Sequence, residues 1–206
     1  MDSKTISTLK QDQSYDISVQ GVHYQFTTTW GLFSPKGLDD GTLMLLKYLE
    51  IKEGMDCLDL GCGYGPLGIH MAKQSVTGNV LMLDKDFLAV EYANKNVQSN
   101  KVSATARLSN GFSHVEPSDK FDLIVSNVPA KSGKELYNIM IWDALQHLKP
   151  GGRFYIVTIT GLRKFFERGF KETFGHYKKV KQGPVYTVAY AEKMDLRHYR
   201  DQFSIF

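Results

Sequence analysis

The chain is poor in the residues that mark disulfide-stabilised, metal-binding and membrane-spanning proteins. It has only two cysteines, Cys57 and Cys62, which lie five positions apart, form no CxxC pair and have no histidine cluster nearby. This spacing argues against a structural disulfide and predicts that the protein holds no metal. Both cysteines are expected to be small packing residues. No apolar run approaches the roughly 18 to 20 residues that span a bilayer, so no membrane contact is expected.

The first sixteen residues are mostly polar and do not contain the apolar stretch of a signal peptide. We therefore expect a cytoplasmic protein. With 206 residues, of which 42% are hydrophobic and 23% charged, the chain suits a single globular unit. We divide this unit into an extension, residues 1–50, that packs on a core domain, residues 51–206.

The chain also lacks a large excess of charge of one sign. The net charge of +3 is too small to identify a nucleic-acid-binding protein. Residues 161–206 nevertheless hold ten Lys or Arg and five Asp or Glu, which gives +5 there and −2 elsewhere. A weak basic patch in this segment is suited to RNA phosphates, and the alternative is the solvated face of a helix. The patch contains Arg163, Lys164, Arg168, Lys171, Lys178, Lys179 and Lys181. The oligomeric state is not indicated.

The extension has local signals for three elements. Residues 15–28 alternate loosely around Gly21, which predicts a β-hairpin, and residues 30–42 are rich in Gly, Pro and Asp, which predicts a loop. Asp40 or Thr42 is the expected N-cap of a following helix. That helix carries Leu43, Leu46 and Leu49 on one face.

Strands and helices alternate from Met55 onward. This order predicts an α/β fold whose mostly parallel sheet of seven strands is covered by helices on both faces. Gly183-Pro184 divides the last two strands, which form a C-terminal antiparallel β-hairpin. The predicted strands are 56–60, 79–83, 103–108, 121–126, 152–159, 177–182 and 185–191. The predicted helices are 66–74, 86–99, 133–148, closed by Lys149-Pro150-Gly151-Gly152, and 161–173.

A glycine loop follows the first of these strands. Residues 57–60 are apolar apart from Asp59, then come Gly61, Gly63 and Gly65, and Pro66 suits the first position of a helix. Glycines allow a ligand to approach the backbone, and the N–H groups at a helix start favour an anionic group. A dinucleotide loop would have its third glycine where Pro66 stands, which argues against a nicotinamide-dependent oxidoreductase.

The string Asp59-x-Gly61-x-Gly63-x-Gly65 resembles the first motif of the class I S-adenosylmethionine-dependent methyltransferases. The resemblance implies S-adenosylmethionine as cofactor and the Rossmann-like class I methyltransferase fold. It also implies that the glycine backbone holds the methionine part, with an acidic residue near its ammonium group. The implied cofactor-binding residues of this loop are Asp59, Gly61, Cys62, Gly63 and Gly65.

Two further positions carry the cofactor prediction. Asp84, nineteen residues after Gly65, ends an apolar strand, where a carboxylate can accept hydrogen bonds from both ribose hydroxyls. Lys85 follows in the same turn. The alternative for Asp84 is a charge at a helix N-terminus, with Asp86 available as the cap. Asn110-Gly111 follows the third strand, where the family often has an acidic residue that binds the adenine amino group; a plain Asn-Gly turn is the alternative.

The segment Asn127-Val128-Pro129-Ala130 resembles the Asn-Pro-Pro-aromatic motif of methyltransferases that modify amino groups on bases or carbonyls. The Asn127 side-chain oxygen and the Val128 carbonyl would bind the hydrogens of the amine and orient its lone pair, while Pro129 stiffens the backbone. Asn127 also belongs to the predicted cofactor contacts. Val128 replaces the first proline of the motif, and Ala130 replaces its aromatic residue.

Because Ala130 has no ring, the aromatic partner of the acceptor must come from elsewhere, and Trp30 and Phe33 are the candidates. Both lie in or beside residues 32–42, which resemble the Phe-Ser…Gly-Leu-Asp-x-Gly segment of the small-domain methyltransferases. That family includes ribosomal RNA guanine-N2 methyltransferases, and the resemblance covers about residues 20–190. In the family this loop closes over the cofactor.

The resemblance implies methyl transfer from S-adenosylmethionine to an exocyclic amine, with guanine N2 of ribosomal RNA as the first candidate. Two alternatives stay open: a small-molecule or protein N-methyltransferase, and a non-catalytic cofactor-binding module. The bacterial ribosomal enzymes carry a second copy of the domain, whereas this chain has about fifty residues before the core, so an RNA acceptor rests on resemblance alone. Residues 192–206, with Tyr199, Phe203 and Phe206, are expected to pack on the core, or else to meet a partner.

Overall fold

A computed structural model describes residues 11–195. The predicted packing of Tyr199, Phe203 and Phe206 lies outside the described residues. The strands are β1 Gln13–Val19, β2 Val22–Thr28, β3 Cys57–Leu60, β4 Val80–Asp84, β5 Thr105–Leu108, β6 Phe121–Asn127, β7 Leu148–Ile159, β8 Lys178–Gln182 and β9 Tyr186–Glu192. The helices are α1 Asp40–Tyr48, α2 Pro66–Gln74, α3 Phe87–Asn100, α4 Lys134–His147 and α5 Arg163–Phe174.

Seven strands form one sheet in the order β5-β4-β3-β6-β7-β9-β8. The strands from β5 to β7 are parallel, and β9 runs antiparallel to both of its neighbours. The predicted seven-stranded sheet and its terminal hairpin are therefore confirmed. From β3 the chain builds outward to β4 and β5, then returns to place β6 on the other side of β3. Ligands of open α/β sheets bind at such a switch point, beyond the carboxyl ends of the strands.

Each face of the sheet carries its own apolar core. One cluster, with Leu45, Ile69 and Met82 at its centre, is covered by α1, α2, α3 and the β1–β2 hairpin. The other, which includes Phe166 and Phe170, is covered by α4 and α5. Because both faces are buried, the central strands are almost continuously apolar. Their polar residues stand at the strand ends, where they can serve a site.

The β1–β2 hairpin is a separate two-stranded sheet that packs on α3. Its main polar anchor is Asn96, which is fully buried. The Asn96 side chain accepts a bond from Thr27 N at 2.7 Å and donates to the Thr27 carbonyl at 3.0 Å. It also donates to the Tyr64 carbonyl at 2.9 Å. One asparagine thus joins the extension to the glycine loop.

The predicted start of α1 was wrong by one residue. The N-cap is Asp39, not Asp40 or Thr42, because its carboxylate accepts bonds from the backbone N–H of Gly41 and Thr42. The predicted face holds, since Leu43, Leu46 and Leu49 all pack against the same apolar core. Leu46 and its neighbour Leu45 are fully buried, while Leu43 and Leu49 are partly buried.

Other boundaries differ where tertiary contacts override local signals. Strand β7 begins at Leu148 rather than at residue 152, because Leu148 pairs with Phe121 ahead of a register shift. The predicted helix 161–173 starts with a 3-10 turn, Thr160–Leu162, and becomes α-helical at Arg163. Strand β5 begins at Thr105 rather than at residue 103.

Both cysteines are buried and free, as predicted for packing residues. Burial raises the pKa of the Cys57 thiol to about 12, which makes it unreactive near neutral pH. Within residues 11–195 no cluster of three or more His, Cys, Asp or Glu side chains is arranged to hold a metal ion. No helix in that range is long and apolar enough to cross a membrane.

A buried histidine gives the fold a measurable pH dependence. His70 Nδ1 lies 2.5 Å from the Tyr24 hydroxyl, and burial lowers the pKa of His70 to about 4 from its ordinary 6.5. The unfolded chain therefore binds this proton first as the pH falls. We expect the free energy of unfolding to lose about 3 kcal/mol through His70 between pH 6.5 and 4, and no more below that. Urea titrations of wild type and His70→Gln over this range measure the difference.

Asp59 acts in the opposite direction, because burial raises its pKa to about 7 and the folded state binds its proton first. Protonation of Asp59 therefore adds stability as the pH falls from about 7 to 4. This contribution is the same in wild type and in His70→Gln, so the difference between the two curves isolates the histidine. Parallel curves would contradict the prediction for His70.

Candidate functional site

The glycine loop lies at the carboxyl end of β3, at the switch point of the sheet. The N–H groups of Gly61 and Cys62 donate to the Leu83 carbonyl at 2.8 and 2.9 Å, which ties the loop to β4. Gly61 and Gly63 have φ values of +75° and +55°, and a Cβ added to either would meet no atom of the described chain within 4 Å. The space in front of the loop is thus open, as a ligand cradle requires. Among residues 11–195 no side chain caps the N-terminus of α2, so its N–H groups suit an anionic group.

Asp59 lies beneath this loop and is fully buried. Its Oδ2 accepts a bond from Gly68 N at 2.8 Å, which fixes the first turn of α2. Gly68 permits this close approach, since a Cβ there would lie 2.2 Å from the sulfur of Met82. Asp59 Oδ1 has no hydrogen-bond partner among the described residues. An unpaired buried carboxylate oxygen below the cradle fits the predicted role beside a cationic ammonium group.

Asp84 ends β4 beside the glycine loop. Its Oδ2 accepts from Gly63 N at 2.8 Å, and its Oδ1 accepts from Asp86 N at 3.0 Å. Asp86, not Asp84, caps α3, through a bond from Leu88 N at 2.9 Å. Each carboxylate oxygen of Asp84 keeps a second lone pair, so the pair of ribose hydroxyls can still be bound. Lys85 is exposed in the same turn.

Asn110 and Gly111 form an exposed turn after β5. The Asn110 carbonyl accepts from Ser113 N at 3.3 Å, and Gly111 has a φ of +59°. The Asn110 side chain makes no hydrogen bond to another residue in 11–195, so it is available to an adenine amino group. The turn and the adenine contact, which the sequence presents as alternatives, are compatible.

Sequence reasoning missed two apolar side chains near Asp84. Phe87 is 71% exposed at the start of α3, and Leu108, the register partner of Asp84, is 51% exposed at the end of β5. Large apolar groups exposed at the carboxyl ends of strands suit the faces of an aromatic base. Their positions could have identified them in the sequence, because each lies within three residues of a predicted cofactor contact.

Asn127 is the last residue of β6, on the other side of β3 from Asp84. Its Nδ2 donates to Asp39 Oδ1 at 3.1 Å and to Thr42 Oγ1 at 3.0 Å. Its Oδ1 receives no hydrogen bond within residues 11–195 and is not buried. The NH₂ group of the amide is therefore hydrogen-bonded, while its oxygen is free to accept a bond from a ligand. Sequence reasoning missed both partners, although both lie in the loop that carries the family resemblance.

The residues after Asn127 are held by a side chain that the sequence analysis did not select. Tyr137, buried in α4, donates to the Pro129 carbonyl at 2.6 Å and accepts from Ser132 N at 3.2 Å. Val128 is buried and its N–H donates to the Val157 carbonyl at 2.9 Å, while Ala130 is exposed. The segment after Asn127 is therefore anchored by Tyr137 and Val157, while Ala130 is left exposed.

Trp30 and Phe33 are 56% and 66% exposed in the loop between β2 and α1. Tyr64 of the glycine loop donates to the Gly37 carbonyl at 3.4 Å, and Asp39 binds Asn127. This loop thus touches both the glycine loop and Asn127. The stacking of either ring on an acceptor stays a prediction.

The basic patch divides into two parts with different properties. On α5 three of the four cations of the patch face acidic neighbours: Lys171 lies 2.8 Å and Arg163 lies 3.9 Å from Glu167, and Arg168 lies 3.6 Å from Glu172. Such pairs are typical of a solvated helix face, which was the alternative for this segment. On β8, Lys178, Lys179 and Lys181 form no salt bridge with a carboxylate of the described chain. Within residues 11–195, the cations of the patch that form no salt bridge are therefore Lys164 on α5 and the three lysines of β8.

The family model "Methyltransferase small domain" matches residues 23–190. Ribosomal RNA small subunit methyltransferase C of Haemophilus influenzae is 34% identical over 156 residues, which are 74% of this chain and 46% of that protein. The uncharacterised protein YbxB of Bacillus subtilis is 30% identical over 159 residues, 75% of this chain and 78% of YbxB.

The 16S rRNA N2 G1207 methyltransferase RsmC of Thermus thermophilus, in complex with AdoMet and guanosine, superposes with a TM-score of 0.81 at 28% identity, over 88% of this chain and 50% of RsmC. Ribosomal protein L11 methyltransferase of Thermosipho africanus is 47% identical over 136 residues, 65% of this chain and 48% of that protein.

The fold and the glycine-loop site define a class I methyltransferase domain. The chain belongs to the methyltransferase small-domain family. It spans about half the length of several of the relatives that it matches.

Proposed function

We propose that this protein transfers a methyl group from S-adenosylmethionine to an exocyclic amine, with guanine N2 of RNA as the acceptor. The observation that carries the proposal is the open Oδ1 of Asn127 at the switch point, beside an open glycine cradle. The similar proteins support the choice of acceptor, since one is named as a small-subunit ribosomal RNA methyltransferase and another was solved with AdoMet and guanosine.

The residues of the cradle fit the cofactor. Gly61 and Gly63 leave space for its methionine part, Asp59 supplies negative charge, Asp84 binds the ribose, and Asn110 binds the adenine amino group. When bound, S-adenosylmethionine supplies a methyl group on a positively charged sulfur. The carboxylate of Asp84 favours such a cation over a neutral or anionic ligand. Burial raises the pKa of Asp59 to about 7, and an ammonium group beside it would lower that pKa and favour the ionised form.

Asn127 prepares the amine for attack. An amino group on guanine is a weak nucleophile because its lone pair is delocalised into the ring. By accepting one amine hydrogen, Asn127 Oδ1 holds the lone pair toward the methyl carbon, and the Val128 carbonyl accepts the other. As the nitrogen–carbon bond forms and the sulfur–carbon bond breaks, positive charge develops on nitrogen, and these oxygens stabilise it. The excess proton of the methylated amine then passes to solvent.

The unpaired lysines of β8 support a polyanionic acceptor. Lys178, Lys179 and Lys181 lie on the edge strand, and the turn that follows β8 meets the end of β7 at the carboxyl side of the sheet, through a bond from Thr160 N to the Val185 carbonyl at 2.7 Å. An RNA strand whose phosphates bind these lysines could extend across the carboxyl side of the sheet to reach Asn127. An acceptor in ribosomal RNA implies action in the cytoplasm.

A protein acceptor is the second candidate. The 47% identity to a ribosomal protein L11 methyltransferase favours it, as does Ala130, which leaves room for an acceptor other than a flat base. The same oxygens of Asn127 and Val128 would then orient an amine of a protein side chain or terminus.

The test supplies methyl-labelled S-adenosylmethionine and offers deproteinised ribosomal RNA, small ribosomal subunits, ribosomal protein L11 and free guanosine as separate acceptors. We expect label in RNA, released on nuclease digestion as N2-methylguanosine. Label confined to L11 would replace the leading proposal by the second candidate. Cofactor binding without label in any acceptor would support a non-catalytic module and overturn both.

A further inference from the structure

We propose that Asp39 is a positioning residue for Asn127: it holds the amide group so that the side-chain oxygen faces the acceptor amine. The inference rests on the proposed amine-methylating function. It adds a residue from the extension to the catalytic apparatus, 88 positions away along the chain.

The contacts decide the orientation of the amide. Asn127 Nδ2 lies 3.1 Å from Asp39 Oδ1 and 3.3 Å from Asp39 Oδ2, with Thr42 Oγ1 at 3.0 Å. An ionised carboxylate only accepts hydrogen bonds, so the NH₂ group must face Asp39. A flipped amide would place oxygen against oxygen. Asp39 therefore selects the rotamer in which Oδ1 is the open atom.

Asp39 is itself held rigidly. Its oxygens accept from Gly41 N at 3.1 Å and Thr42 N at 3.2 Å, at the N-terminus of α1, where the helix dipole favours a negative charge. Gly41 has no room for a side chain, since a Cβ there would lie 2.9 Å from Asp39 Oδ2 and 3.0 Å from the Tyr186 ring. The carboxylate is thus fixed by two backbone donors and by close packing.

The charge of Asp39 adds an electrostatic effect to the geometric one. A carboxylate beside the NH₂ group polarises the amide and increases the negative charge on Oδ1, as in any chain of hydrogen bonds. That oxygen meets an amine whose nitrogen becomes positive in the transition state. Removing the charge should therefore reduce the rate of transfer more than the binding of the acceptor.

Asp39→Asn is the informative variant, because asparagine is as good an N-cap as aspartate but carries no charge and can present NH₂ as readily as oxygen. Asp40→Asn is the matched control, since Asp40 is the exposed neighbour and its side chain forms no hydrogen bond with Asn127. We expect kcat to fall at least about tenfold in Asp39→Asn, with the KM of the acceptor and the affinity for S-adenosylhomocysteine within about twofold of wild type. Asp40→Asn should match wild type in all three.

Two further measurements separate positioning from a general loss of structure. In an Asn127→Ala background, Asp39→Asn should cause no additional loss of rate, because residues that act through one another are not additive. The Asn127 side-chain NH₂ signals in an NMR spectrum, assigned by their absence in Asn127→Asp, should shift and exchange faster in Asp39→Asn and not in Asp40→Asn.

Each outcome bears on one proposal. An unchanged kcat, an additive double variant, or a parallel loss of cofactor affinity would overturn the role of Asp39. If wild type methylates no acceptor, the proposed function fails, and the NMR signals alone decide whether Asp39 orients the amide. Unchanged signals in Asp39→Asn would overturn the positioning role too.

Discussion

Replacing Asn127 by alanine is expected to lower the rate of methyl transfer by a factor on the order of a thousand, the loss seen when a preorganised transition-state contact is removed. The substitution removes the open oxygen that orients the amine. It leaves Asp39 satisfied by the backbone of Gly41 and Thr42, and leaves the glycine cradle and Asp84 in place. Single-turnover rates with labelled cofactor measure the loss.

The same variant tests whether Asn127 contributes to cofactor binding. We expect its affinity for S-adenosylhomocysteine to stay within about twofold of wild type, since the interaction is made in the transition state. Asn138→Ala, which removes an exposed asparagine on α4, is the matched control and should retain full activity. If the affinity of Asn127→Ala for the cofactor product fell as steeply as its rate, Asn127 would be a cofactor ligand rather than an amine-binding residue.

The sequence predicted those parts of the fold and site whose signals are local. A buried strand, three glycines and Pro66 occur within ten residues. This order was enough to predict β3, the glycine loop and the start of α2. Asp84 was readable for the same reason, because an apolar strand ends on it. The parallel sheet followed from the alternation of strands and helices and from the rule that crossovers are right-handed.

What the sequence missed depends on contacts between distant segments. The bond between Asn127 and Asp39 joins residues 88 positions apart, and no local pattern specifies it. The Pro129 segment is anchored by the hydroxyl of Tyr137, which lies on α4. From the sequence alone, this tyrosine could equally be an ordinary core residue. The N-cap of α1 was misplaced because Asp39, Asp40 and Thr42 are all residue types that can cap a helix, and the sequence analysis considered only the last two.

Replacing Asp84 by alanine is expected to abolish measurable binding of S-adenosylhomocysteine in a calorimetric titration. Hydrogen bonds to a charged group contribute about 1.5 to 3 kcal/mol each, so loss of two ribose contacts weakens binding by about a hundredfold or more. The glycine loop also loses the carboxylate that accepts from Gly63 N. The wild-type protein should bind with micromolar affinity.

Two neighbouring variants distinguish the ribose contact from simpler effects. Asp86→Asn removes a negative charge two residues away and keeps a good cap on α3, so it should bind as wild type does. Asp84→Asn keeps one acceptor oxygen, which can serve Gly63 or a single hydroxyl but not both, and should bind with intermediate affinity. If Asp86→Asn weakened binding as much as Asp84→Ala, the general negative potential of this edge, and not bidentate recognition, would hold the ligand.

If wild type bound no S-adenosylhomocysteine, the cradle would not be a cofactor site. The catalytic role of Asn127 would fail with it, because no methyl group would reach the amine.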